Sequence, residues 1–393
     1  MAQKHVVLRG PSDGVFESHR AGPSGADQPA SAPMTVEIEE MRPPKALETA
    51  RRPGVLAVAP VVPMRLIAPV PMTVAADPLA GGTTWGVSAV GAAASPFTGA
   101  GVVIAVLDTG IDPTHPAFAG VDLQRRNFTN GADTDEHGHG THCAGTIFGR
   151  NVDGTRIGVA PGVARALIGK VLGGNGGGSD TIVEAIQWAV NEGAHVISMS
   201  LGIDFPGYVS SLIERDVPAE LATSIGLDAY RANVLLFERL ASLIRAQSEF
   251  VQTTLLVAAA GNESRREVNA EFEIAVSPPA AAEGMVSVAA VGQGNGGLTV
   301  ANFSNVGARV AGPGVGVLSA APGVGLVSMN GTSMATPHVA GVAALWAEKL
   351  AATGQLRGQL LADRLVGSAD TAMMAAGFDP HDVGAGLVRA PQS

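Results

Sequence analysis

Gly101-Val102-Val103-Ile104-Ala105-Val106-Leu107-Asp108-Thr109-Gly110 decides the fold. Six consecutive apolar side chains leave no polar face, so Val102 to Leu107 reads as a strand buried on both sides. Similar runs recur at Ala166 to Leu172, Val196 to Met199, Leu255 to Ala259 and Met285 to Val291. Helix-like stretches alternate with them at Thr141 to Phe148, Thr181 to Glu192 and Ser333 to Leu350. Strand and helix in alternation predict an α/β fold, a mainly parallel sheet with helices on both faces.

Composition agrees. Of 393 residues, 46% are hydrophobic and 15% charged, far too apolar for a disordered chain. Glycine (51) and proline (25) are abundant but follow no G-X-Y period, which excludes collagen. Net charge is −10 and the basic residues are scattered, so no nucleic-acid partner is expected. Arg309 to Glu348 has no charged residue between its ends, yet Pro313, Pro322, Asn330 and Pro337 interrupt it and argue against a membrane span. The single cysteine, Cys143, forbids an intrachain disulfide and fits a reducing compartment. Met1 to Gly10 shows no apolar signal core, so a cytoplasmic location is expected, with secretion the alternative.

Ahead of the sheet pattern, residues 1–33 read as a polar, disordered tail. Residues 34–70 read as a small α+β unit: a strand around Val36 and Ile38, a helix from Lys45 to Arg52, and a return from Val55 to Ile67. Residues 71–83 look like a linker, and 84–393 form the main domain. Within it, residues 208–250 read as a helical insertion. Tyr230, Val234, Phe237, Ala241 and Ile244 recur at helical spacing, with a shorter helix expected near Val217 to Ser224. The insertion is either a packed element or an arm that docks a partner.

Three segments place a reactive residue beside small ones. Asp108-Thr109-Gly110-Ile111 ends a buried strand, where open parallel sheets build their sites; alone it reads as a turn or capping aspartate. His139-Gly140-Thr141-His142-Cys143-Ala144-Gly145 opens an Ala/Gly-rich helix with the side chain best suited to proton transfer near neutral pH. With His137 it makes a histidine cluster, but no HExxH or CxxC spacing accompanies it, so no metal is assigned. Gly331-Thr332-Ser333-Met334-Ala335-Thr336-Pro337-His338-Val339-Ala340-Gly341 puts a serine at a helix N-terminus, where backbone N–H groups favour negative charge.

Taken together, in the order Asp, His, Ser, the three strings resemble the signatures of the subtilase (subtilisin-like serine protease, peptidase S8) family. The resemblance runs roughly from Thr84 to Ala390, apart from the insertion. It implies a three-layer subtilisin-like fold and a serine endopeptidase working through an acyl-enzyme. Ser333 would be the nucleophile, His139 the general base and then acid, and Asp108 the group that orients the imidazole. Val257-Ala258-Ala259-Ala260-Gly261-Asn262 resembles the segment that supplies the oxyanion-binding asparagine, here Asn262. Ser200, Leu201 and Gly202 resemble the edge that pairs with substrate and one wall of its side-chain pocket. Ala259, Ala260 and Gly261 resemble the other wall, and Leu172 to Gly178 the opposite edge. Small uncharged walls suggest an apolar or broad preference.

No cofactor is implied. Many family members bind calcium through an aspartate and an asparagine, but Ala117 and Val152 fall at those positions. That strong site is therefore expected to be absent, with Asp153 or another loop still open to the ion. Cys143 is a small buried neighbour of the site rather than its nucleophile. Residues 35 to about 70 resemble a shortened propeptide, which implies a zymogen whose own N-terminal segment inhibits it. Self-cleavage would fall between Pro69 and Thr84, near Ala75-Ala76 or Leu79-Ala80. The alternatives are a peptide ligase or macrocyclase on the same fold, and an inactive binding scaffold.

Overall fold

A computed structural model describes residues 2–10, 34–70, 82–174, 176–248, 252–323 and 325–393. Its centre is an eight-stranded sheet. Seven strands run Gly297–Val300, Val286–Gly294, Leu255–Ala259, Val196–Met199, Val103–Asp108, Arg165–Lys170 and Asp122–Asn127 across it, and Val310–Pro313 pairs with Val286–Gly294. All pairings are parallel except that of Gly297–Val300 with its neighbour.

Two cores cover the two faces. Along Val103–Asp108, Ile104 and Val106 enter one, and Ala105 and Leu107 the other, as side chains alternating across a strand must. The first core holds the helices His139–Phe148 and Thr332–Ala352, which pack on each other. The second holds Ser179–Asn191 and part of Ala219–Ser248. Both helices of the first core begin earlier than the apolar pattern alone suggests, at His139 and Thr332.

The N-terminal region departs from expectation. Gln3–Arg9 is not a tail but the middle strand of a three-stranded antiparallel sheet, between Thr35–Met41 and Val55–Pro60. Val6, Val7 and Leu8 are wholly buried, which a free tail cannot offer them. Residues 34–70 alone would lack the strand that joins their two outer ones. The helix Pro43–Ala50 packs on this sheet. The remainder of the expected tail, 11–33, and 71–81 of the expected linker lie outside the described residues. The rest of that linker is ordered, because Gly82–Thr83 pairs with Thr155–Arg156.

The insertion forms two helices, Phe205–Ile213 and Ala219–Ser248. Val217 to Ser224 is not a separate helix but runs into the long one. Gly226 does not break it: a Cβ there would come within 2.7 Å of Val209, so the glycine lets the two helices close on each other. The buried stripe includes Asn233, Leu236 and Leu240 beside Phe237, Ala241 and Ile244, while Tyr230 and Val234 are only half buried. The helix packs against Val55–Pro60, and Asn233 Nδ2 donates to the Pro60 carbonyl at 2.9 Å. On the neighbouring helix, Gln187 Nε2 donates to the Met34 carbonyl at 2.7 Å. The two helices thus seat the protein's own N-terminal sheet.

Candidate active site

Asp108 ends its strand with Oδ1 accepting the Thr109 N–H at 2.7 Å, and lies 2.8 Å from His139 Nδ1. Both side chains are buried. Gly140 makes the approach feasible, because a Cβ there would overlap the Gly110 carbonyl and lie 3.2 Å from the Asp108 Cβ. Burial works to lower the His139 pKa, but the Asp108 carboxylate beside it outweighs burial and raises it above its ordinary range. The His139 Nε2 is buried without a hydrogen-bond partner.

Asp135, absent from the expected site, ties the pair together. It accepts from Thr109 Oγ1 at 2.8 Å, Gly138 N–H at 2.8 Å, Thr141 N–H at 2.9 Å and Thr141 Oγ1 at 2.6 Å. Burial opposes its charge, yet these donors hold its carboxyl below the usual range. The sequence signal was weak: Asp133-Thr134-Asp135-Glu136 reads as a solvated acidic loop. The other two site histidines are held neutral. Burial pushes His142 down to about 3 and His338 down to about 4. His142 Nε2 lies 2.9 Å from the Val317 carbonyl, and His338 Nδ1 2.8 Å from that of Met334.

Ser333 stands in the first turn of Thr332–Ala352, fully buried. Asn262 follows the end of Leu255–Ala259. Its Oδ1 accepts from Thr332 N–H and Oγ1, both at 2.9 Å, so its amide nitrogen is turned toward the cleft. The four separated residues Asp108, His139, Asn262 and Ser333 therefore meet at one end of the sheet. Cys143 lies beside them, Sγ 3.7 Å from His139 Nδ1, and burial raises its pKa and keeps it a neutral thiol. Among the described residues, Asp108, His139 and Cys143 form the one group with metal-ligand spacing, within 4.8 Å, and it belongs to this site.

The cleft is threaded by the chain itself. Pro63–Leu66 lies between Gly177–Gly178 and Leu201–Ile203, antiparallel to both. Arg65 pairs opposite Gly202, and Leu66 opposite Leu201. Ile67 N–H points to the Ser200 carbonyl at 3.4 Å, and Val70 N–H to that of Asn330 at 2.9 Å. The expected edge residues Ser200, Leu201 and Gly202 thus contact an extended chain, and so does the Gly177–Gly178 end of the opposite edge. Ala259, Ala260 and Gly261 are buried at the end of the Leu255–Ala259 strand. Their hydrogen bonds run inside the domain, Ala260 N–H to Val288 and Gly261 N–H to Thr332 Oγ1. Beside the threaded strand is a cavity of about 440 Å³, lined by Pro63, Leu66, His137 and Leu172 among others.

At the serine, the contacts are split. Ser333 Oγ donates to the Ile67 carbonyl at 2.8 Å, whereas Asn262 Nδ2 donates to the next carbonyl, Ala68, at 2.9 Å. An acyl substrate needs both groups on one carbonyl, with the serine proton directed at histidine. Ala68 is followed by Pro69. The residues at the serine lie upstream of the expected self-cleavage stretch, whose Ala75-Ala76 and Leu79-Ala80 fall outside the described residues. At the expected calcium positions, Ala117 and Val152 present buried apolar side chains. No helix among the described residues is long and apolar enough to cross a membrane.

The sequence profile of the subtilase family (peptidase S8) matches residues 99–386. M-protease of Shouchella clausii (strain KSM-K16) is 39% identical over 276 residues, covering 67% of this chain and 60% of that protein. Subtilisin Savinase of Lederbergia lenta is 39% identical over 276 residues, covering 67% of this chain and 84% of that protein. Alkaline elastase YaB of Bacillus sp. (strain YaB) is 38% identical over 274 residues, covering 67% of this chain and 60% of that protein. The chain thus spans about three fifths of M-protease and of elastase YaB, and most of Savinase. These names are those of proteases and lend nothing to the ligase or scaffold alternatives. They also overturn the expected cytoplasmic location, since such relatives are secreted, extracellular subtilisins. Proteases of this kind need no cofactor for catalysis. The sheet, the order of the three signatures and these matches lead to one statement: the chain belongs to the subtilase family.

Proposed function

We propose that this protein is a serine endopeptidase that hydrolyses peptide bonds through an acyl-enzyme. The observation that carries the reading is the buried Asp108–His139 pair, 2.8 Å apart, with the imidazole's far nitrogen unpartnered in a cleft that already holds an extended chain across Ser333. Ser333 Oγ attacks the carbonyl carbon as His139 Nε2 takes its proton. The oxyanion is met by Asn262 Nδ2 and the Ser333 N–H. His139 then returns the proton to the departing amine, and water repeats the sequence to release the acid. Asp108 holds the Nδ1 proton and stabilises the cation.

Protein or peptide substrates enter as an added strand between Gly177–Gly178 and Leu201–Ile203. The protein's own residues 63–70 act as an intramolecular inhibitor, held rather than cut, because serine and asparagine engage different carbonyls. A fluorophosphonate probe, read by intact mass on wild type and Ser333→Ala, tests the reading. One adduct on the wild type alone is expected. No adduct on either protein, even after limited proteolysis of the N-terminal region, would overturn it.

A further inference from the structure

Arg65 makes a contact that holding a strand in a cleft does not require. Its Nη1 lies 3.0 Å from Asp204 Oδ1 and its Nη2 3.0 Å from Glu263 Oε1. One carboxylate follows the Leu201–Ile203 edge and the other comes directly after Asn262. Each is fixed independently of Arg65. Asp204 Oδ1 accepts the Gly207 N–H at 3.1 Å and caps Phe205–Ile213, and Glu263 Oε2 accepts from Asn305 Nδ2 at 2.7 Å. All three side chains are partly exposed, at 40% for Arg65, 27% for Asp204 and 31% for Glu263, so the site is open to an incoming chain.

Remove the tethered strand and two anchored negative charges, both within reach of one guanidinium, are left without their shared cation. Main-chain pairing dictates which substrate residue arrives there, the one opposite Gly202. A guanidinium can reach both carboxylates with separate nitrogens, whereas an ammonium is a single point charge. We propose that Asp204 and Glu263 form a specificity subsite for arginine at the substrate residue paired opposite Gly202. That residue is third before the scissile bond if the bond follows the position of Ile67, and fourth if it follows that of Ala68. The inference rests on the endopeptidase reading above.

Two partly exposed ion pairs of ordinary strength amount to about a tenfold preference. The test uses full-length protein and internally quenched peptides that differ at one residue, with Arg, Lys, norleucine or Glu placed second to fifth before the bond. A tethered occupant lowers every peptide's apparent kcat/KM by the same factor, so ratios between peptides survive it. Arginine should exceed norleucine about tenfold at the third or fourth position and exceed lysine by less. The ratio should collapse in Asp204→Asn/Glu263→Gln and shrink with added salt. Glu263→Lys should shift preference toward glutamate at the same position. Cleavage without an arginine preference, or a preference that survives the double substitution, would overturn the subsite and leave the endopeptidase reading standing. No cleavage of any peptide, even after limited proteolysis of the N-terminal region, would remove that reading and the subsite with it.

Discussion

Replacing Asp135 by alanine tests whether one buried carboxylate holds the site in register. Asp135 is 6% exposed. It accepts five hydrogen bonds, from Thr109 Oγ1, the N–H groups of His137, Gly138 and Thr141, and Thr141 Oγ1. Thr109 adjoins Asp108 and Thr141 lies two residues beyond His139, so these bonds join the two segments that carry the Asp108–His139 pair. Each hydrogen bond to a charged acceptor contributes about 1.5–3 kcal/mol, and a buried donor left alone costs about 1–3 kcal/mol. Allowing for water refilling part of the space, Asp135→Ala should cost about 4 kcal/mol, a large share of the roughly 5–15 kcal/mol a domain possesses. Asp135→Asn keeps the shape but turns an NH₂ toward one set of donors, and should cost about half as much. Urea unfolding in a Ser333→Ala background, which prevents self-digestion, measures the stability. Peptide turnover in the Ser333 protein measures kcat, where loosening the pair should cost about 10²-fold. A stability loss under about 1 kcal/mol with kcat intact would refute the idea that this carboxylate ties the two segments.

Three further outcomes follow from the same geometry. Asn262→Ala should lower kcat by about 10²–10³-fold with little change in KM, the size known for such a donor in subtilisin itself; a loss confined to KM would contradict its role at the oxyanion. His142 and His338 titrate at about 3 and about 4 in the folded protein against an ordinary value near 6.5, so the unfolded chain takes up protons first as pH falls. Their stabilisation is whole above about 6.5 and drains below it by up to about 3 kcal/mol per pH unit for the two, so the urea midpoint of Ser333→Ala should fall steeply from pH 6.5 to 5, and a flat profile would refute their burial as neutral rings. Gly140→Ala pushes a methyl into the Gly110 carbonyl and toward the Asp108 Cβ, so kcat should drop by about tenfold or more while the thermal midpoint moves by only a few degrees; unchanged kcat would mean the loop yields freely.

The central strands were legible because apolar runs such as Val196–Met199 and Leu255–Ala259 have no polar face to misread. Asp108, His139, Asn262 and Ser333 stand out in the sequence because each lies in a short string of small residues of the kind a close-packed site requires. What escaped was non-local. Arg65 finds its partners 139 and 198 residues away, and nothing beside it in the sequence announces them. Gln3–Arg9 is a strand because Thr35–Met41 and Val55–Pro60 flank it, while its own seven residues are half charged or polar at the start. Asp135 looks like any loop acid until Thr109 and Thr141 close over it. The long Ala219–Ser248 helix was recognised as helix, but its role as a seat for the N-terminal sheet depended on that sheet being there.

On the endopeptidase reading proposed above, the threaded strand also says what sort of protein can be consumed. Pro63–Leu66 completes a three-stranded sheet between Gly177–Gly178 and Leu201–Ile203, and it does so with its main chain drawn out straight. A victim must therefore surrender about half a dozen residues from whatever helix or turn contains them before any side chain is inspected. Folded domains are thereby protected by their own unfolding free energy, and the rate at which a given protein is digested becomes a reading of how often its loops stretch open.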